Sequence, residues 1–289
     1  MKKVRITSDS TADLDRLFAE RDIPVLPLEV LLGERTGLDG VEIRPEDIYK
    51  YYADTKCTPK TSAVSPERYY EFFKKFTDEG CEVVHFTISS DMSACYSNAC
   101  KAAAELEGVY VIDSMNLSTG IGLQVLFADD LAREGVPAED IALRVNARRS
   151  SVQASFVVDT MDFLYRGGRC SGVSAFIASV LRIKPSIFVK DGKMGVGKKY
   201  MGATSKAILK YVNDTVAAFN DPDKKYVFIT HSSSPAEVVE AAKKEVLAVW
   251  PDANIIETVA GSTVTSHCGK GTLGVLYYND GGRGRQENL

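Results

Sequence analysis

Three histidines, one tryptophan and six cysteines without a Cys-x-x-Cys pair leave this 289-residue chain short of metal-ligating groups. No zinc-type spacing appears, so neither a metal nor a cofactor is expected, and the cysteines read as reduced, mostly buried thiols. Long apolar runs are missing too. Nothing approaches the length of a bilayer span, and Met1-Lys-Lys-Val-Arg-Ile6 opens a charged strand in place of an apolar signal region. A cytoplasmic protein, not integral to a membrane, is expected. Basic runs are absent: 35 basic against 39 acidic residues give a net charge of −4, which argues against nucleic acid as a partner. The Gly-x-Ser-x-Gly elbow of serine hydrolases is missing. Gly269-Lys270 resembles the end of a phosphate loop only superficially, since Val264 stands where its first glycine would be and Gly271 follows the lysine. No dinucleotide fingerprint follows the first strand, so ATP or NAD bound by these devices is not expected.

What is present is the pattern of an ordinary globular protein, 45% hydrophobic and 26% charged, too long for a typical single domain. Strand Val4–Thr7 leads to a helix ending near Glu20, which Ser10 or Thr11 is suited to cap. An apolar run at Val25–Leu32, a helix opened by Pro45 and a polar loop over 58–66 follow. Ser65-Pro66 starts a helix to Glu79. Next come a strand to Ile88 with His85 packed inside it, a helix over Ala94–Ala104, a strand at Val109–Ile112 and helices over Leu117–Arg133 and Ala138–Arg148. This alternation predicts an N-terminal α/β domain, residues 1–153, whose parallel sheet carries helices on both faces.

The second domain, 154–280, reads as mixed α/β. It has a strand at Ala154–Val158, a short helix at Asp159–Tyr165 and a helix over 172–180. A hairpin turns on Asp191-Gly192. Helix Ser205–Phe219, strand Val227–Thr230, helix Pro235–Val249 and strand Ile255–Val259 complete it. The tail 281–289 has no apolar residue before its last position and is expected to be an appended remnant outside the fold.

Polar clusters fall at strand or loop ends: Ser8 to Ser10, Thr61-Ser62, Ser89 to Ser93, and Ser266-His267 with Thr272. In open α/β sheets that edge binds ligands. The stretch Ala260–Tyr277 adds glycines at 269, 271 and 274, which let backbone approach a ligand closely. It reads either as a buried anion site or as a strand-turn-strand whose histidine satisfies a core carbonyl. His231 is the rival histidine, with a helix-entry role preferred for its turn.

In order along nearly the whole chain stand Asp9-Ser-Thr-Ala-Asp-Leu14, Lys60-Thr-Ser62 with Ser65-Pro66, Thr87-Ile-Ser-Ser90 through Ser93, Val111-Ile-Asp-Ser114, Leu164 with Arg166-Gly-Gly-Arg169, Ile183-Lys-Pro185, and His267-Cys-Gly with Gly271-Thr-Leu-Gly274. With this set the sequence resembles the DegV family, fatty-acid-binding proteins that include the binding subunits of bacterial fatty acid kinase. The resemblance implies two α/β domains enclosing a long-chain acyl group such as palmitate, stearate or oleate. It implies that Thr61, Ser93 and His267 hold the carboxylate, with Ser62, Arg169, Ser10 and Thr272 in support. It also implies an ATP-binding kinase partner that would phosphorylate the presented carboxylate, Arg169 assisting. Ala94, Cys95, Cys170 and Lys270 depart from the usual family pattern.

Physical chemistry fits such a ligand. Burying about fourteen methylenes at roughly 0.8 kcal/mol each gives on the order of 11 kcal/mol of gross driving force, much of it offset by ordering the chain. Hydroxyls and one imidazole suit a lone carboxylate, and a protonated His267 paired with it would have its pKa raised above 6.5. The competing reading is a hydrolase or transferase acting on an acyl or small keto substrate, with Ser93 as nucleophile and His267 as acid-base.

Overall fold

Short β-branched runs alternate with longer amphipathic ones in the first half, and the computed structural model, which describes residues 2–171 and 183–285, folds them accordingly. In chain order these are β1 (Val4–Asp9), α1 (Asp15–Glu20), β2 (Val25–Leu26), β3 (Glu29–Leu32), β4 (Arg35–Leu38), α2 (Pro45–Thr55), β5 (Lys60–Ser62), α3 (Pro66–Asp78), β6 (Glu82–Thr87), α4 (Cys95–Ala103), β7 (Val109–Asp113), α5 (Thr119–Arg133) and α6 (Ala138–Arg148). The order β2-β1-β6-β7 makes a parallel sheet. Side chains alternate across β6, so Val83 packs under α3 and α4 while Val84 and Phe86 pack under α5 and α6. His85 is buried among Tyr69, Phe72 and Phe73 with Nδ1 2.9 Å from Thr7 Oγ1, and burial drives its pKa down to about 3.

The second half supplies β8 (Val152–Val157), α7 (Asp162–Gly167), β9 (Cys170–Ser171), β10 (Ile183–Lys190), β11 (Lys193–Met201), α8 (Thr204–Ala218), β12 (Val227–Ser232), α9 (Ala236–Val249), β13 (Ile255–Val259), α10 (Ser262–Cys268) and β14 (Thr272–Tyr278). They form a mixed sheet of order β13-β12-β14-β8-β10-β11-β9, which begins two residues before position 154. Asp191 and Gly192 sit at φ 49° and 81°, the left-handed pair of a primed hairpin turn. Helices α8 and α9 cover one face of this sheet. The other face meets α5, which is buried on nearly every side because it lies between the two sheets; one core runs from Ile6 and Phe86 through Leu126 to Ala154 and Leu276.

Four expectations change. Asp9, not Ser10 or Thr11, makes the first cap: its carboxylate accepts the Thr11 N–H at 3.1 Å, shaping a 3-10 turn over Ser10–Ala12. Asp13 then adopts φ 54°, so α1 starts only at Asp15. Within the polar loop, Lys60–Ser62 is a strand, because β3 has a free edge on which it pairs antiparallel, making a small sheet β4-β3-β5. The stretch after β13 is a helix, not a strand-turn-strand. The first residues of the tail belong to the body: Gly281 N–H donates to Asp221 O at 2.7 Å and Arg285 pairs with Asp223 and Asp130. The helix expected over 172–180 lies outside the described residues.

Candidate functional site

Two short elements, β5 from the polar loop and α10 from the stretch after β13, create the site where the halves meet. β5 is held in register by Val30 opposite Thr61. α10 has no cap of its own, and the first half provides one: Asp13 Oδ1 accepts the Gly261 N–H at 2.9 Å and Asp39 Oδ1 the Ser262 N–H at 2.8 Å, carboxylates placed at the positive end of the helix. Ser262 Oγ donates to Ile43 O at 2.7 Å. At the other end Gly269 turns the chain at φ 72°, where a Cβ would lie 2.7 Å from the Phe163 ring. Fixed at both ends, α10 brings the His267 ring to the Thr61 hydroxyl, Nε2 to Oγ1 2.9 Å.

These two side chains stand at the polar end of a cavity of about 200 Å³. Leu28, Ile88, Leu117, Phe156, Leu164 and Met194 give it apolar walls; Ser62, Ser93 and Arg169 line it as well, and so does Thr263. A smaller hollow adjoins it, sharing Leu117, Phe156, Val264 and Cys268. Ser93 precedes α4, its Oγ accepting the Cys95 N–H at 3.3 Å and lying 3.2 Å from Cys95 Sγ. Arg169 reaches across with Nη1 donating to Gly167 O at 2.6 Å and Nε to Met92 O at 3.4 Å. Burial, and then the Arg169 charge, push the His267 pKa down to about 4. In the protein alone, therefore, the imidazole is neutral at pH 7, opposite to the raised value expected for a carboxylate complex.

The structure thus brings Thr61, Ser62, Ser93, Arg169 and His267 to one cavity and leaves two candidates outside it. Ser10 is one layer behind, donating to Asp39 at 2.8 Å and accepting the Leu28 N–H at 3.1 Å. Thr272 fastens the end of α10 by donating to Cys268 O at 3.0 Å, and it faces the smaller hollow. His231 pairs with Glu257 at 3.2 Å and accepts the Ser234 N–H at 3.4 Å, in keeping with a helix-entry role. Thr263 and the apolar walls were not singled out in the sequence. A helical reading of 262–268 would have found Thr263, which is four residues from His267. Among the described residues, no group of His, Cys, Asp or Glu could hold a metal, and no helix is long and apolar enough to cross a membrane.

Against known proteins, the family described as an uncharacterised protein, DegV family, matches residues 3–280. A DegV domain-containing protein of Clostridium perfringens is 32% identical over 97% of this chain and 100% of its own length. Among solved structures, a DegV family protein of Thermus thermophilus described by its fatty acid binding superposes with a TM-score of 0.86 at 29% identity, covering 96% of this chain and 99% of the other. A stearic acid-binding protein of Eubacterium ventriosum does so with a TM-score of 0.82 at 27% identity, with coverage of 96% and 99%.

Proposed function

The chain belongs to the DegV family, and from that premise we propose that it is a carrier for a long-chain fatty acid such as palmitate, stearate or oleate. The observation that carries this reading is the Thr61–His267 pair, with Arg169 beside it, in a cavity lined mostly by apolar side chains. Thr61, Ser93 and His267 hold the carboxylate at the junction of domains 1–153 and 154–280, and Ser62 and Arg169 support them. The tail runs between the sheets past Leu117 and Phe156, whose burial supplies most of the affinity. That the solved relatives from Thermus thermophilus and Eubacterium ventriosum are described as binding fatty acid or stearic acid supports the same ligand class.

The enzymatic alternative needs Ser93 and His267 to act on each other. Instead the His267 Nε2 meets Thr61 and the Ser93 hydroxyl meets Cys95, so no nucleophile–base pair is assembled. The polar end of the cavity also suits delivery of the carboxylate to an ATP-binding kinase subunit, and we include that partner in the proposal.

Titration calorimetry on lipid-free protein tests the reading. Palmitic acid should bind roughly tenfold or more tightly than its methyl ester, as expected for charge-assisted hydrogen bonds, and Thr61→Val should narrow that gap. Equal affinity for acid and ester would remove the carboxylate site, and turnover of a generic acyl ester without any partner would favour the enzymatic alternative.

A further inference from the structure

Helix α10 turns two polar side chains toward the cavity, and only one of them has a role in holding a carboxylate. Thr263 and His267 are four residues apart and so share a face of the helix, about 6 Å apart along its axis. Thr263 is 4% exposed and lines the cavity, yet its Oγ1 is buried without a hydrogen-bond partner among the described residues. The other hydroxyls of the helix behave differently: Ser262 donates to Ile43 O, Thr265 to Ala260 O and Ser266 to Ser262 O. A buried hydroxyl with no partner weakens the fold, and valine would fill the same space without that loss. Leu28, Ala63 and Ile88 are among the apolar side chains that line the same cavity. Although Thr61, Ser62 and Ser93 line the same cavity, no oxygen of the described residues is placed to bond Thr263, and a ligand oxygen can fill that place.

We propose that Thr263 hydrogen-bonds an oxygen carried by the acyl chain close to its carboxyl end, so that the preferred ligands are long-chain 3-hydroxy acids rather than plain ones. One helical turn from a carboxylate held at His267 reaches only the first few carbons, so a hydroxyl in the middle of the chain falls beyond Thr263. Because Thr both donates and accepts, it can serve a hydroxyl in either sense. This inference rests on the fatty-acid reading of the same cavity.

Titration calorimetry of lipid-free protein with hexadecanoic, 3-hydroxyhexadecanoic and 12-hydroxyhexadecanoic acids tests it. The 3-hydroxy acid should bind about fivefold or more tightly than hexadecanoic acid, the scale of one added hydrogen bond. Thr263→Val should abolish that preference while binding hexadecanoic acid at least as well, and Thr263→Ser should retain it. Equal affinity for hexadecanoic and 3-hydroxyhexadecanoic acids, a preference that survives Thr263→Val, or an equal gain for the 12-hydroxy acid would overturn the inference and leave the carrier reading standing. If none of the three acids binds, both fail together.

Discussion

Filling the cavity with a fatty acid should return the His267 imidazole to the pH range in which it titrates in water. Without ligand, burial and the Arg169 charge hold its pKa at about 4 against an ordinary 6.5. At roughly 1.4 kcal/mol per pH unit, protonating it there is about 3 kcal/mol harder than in water. A carboxylate within about 4 Å of the ring offers about 4 kcal/mol at the effective dielectric of a partly exposed site. The attraction is slightly the larger, so the loaded protein should titrate His267 near or above 6.5. The signs follow. In the lipid-free protein the pKa is depressed, so between pH 6.5 and 4 the unfolded chain takes up a proton that the folded one refuses, and stability falls as pH falls through that window. The complex takes up that proton itself, so acid binding should strengthen as pH drops from 8 toward 6. Ring-carbon NMR on histidine-labelled protein reads this directly. The chain has three histidines, and His85, held at about 3, stays silent near neutrality. The methyl ester of the same acid is the control and should leave His267 near 4. A lipid-free His267 already titrating at 6.5, or one still near 4 with the acid bound, would refute the reasoning.

Three substitutions probe the framework around the cavity. Asp39→Ala removes the acceptor of the Ser262 N–H and of Ser10, both at 2.8 Å; it should cost about 1–2 kcal/mol in a urea titration, the range for a lost helix cap, and weaken fatty-acid binding because His267 rides on that helix. Arg148→Met leaves Asp280 and part of Asp223 buried without their partner at 2.8 and 2.7 Å and strips a guanidinium from the Tyr278 ring. With Arg285 still beside Asp223, the loss should fall near the low end of the range for a broken buried pair, about 3 kcal/mol, with lipid affinity unchanged. Gly167→Ala puts a Cβ 2.5 Å from His267 Nδ1; calorimetry should show roughly tenfold weaker acid binding as the ring is turned from Thr61, while the melting temperature barely moves.

Much of this molecule is legible from the chain alone, and what is not has a common physical cause. The parallel sheet, the buried α5 and the Asp191-Gly192 hairpin follow from apolar periodicity and turn chemistry, which are local. The polar cluster of Thr61, Ser93, Arg169 and His267 emerged from their ordered motifs, although their convergence is set by tertiary packing. β5 is three residues long with polar side chains, and it becomes a strand only because β3 offers an edge. α10 is rich in Ser and Thr, poor helix formers, and is stabilised by carboxylates more than two hundred residues away in sequence. Because that helix was invisible, so was the alignment of Thr263 with His267. Ser10 and Thr272 lie outside the main cavity: both are small hydroxyls beside glycine-rich or turn segments, and sequence does not separate a hydroxyl that lines a cavity from one that fastens a turn.

The most direct test of the carrier reading is organic extraction of the purified protein followed by mass spectrometry of the extract. A long-chain fatty acid at about one per chain, retained through purification, is the expected result, and its structure would show which chain the cavity selects. Folded protein that yields no lipid and takes up neither added oleate nor palmitate would contradict the account.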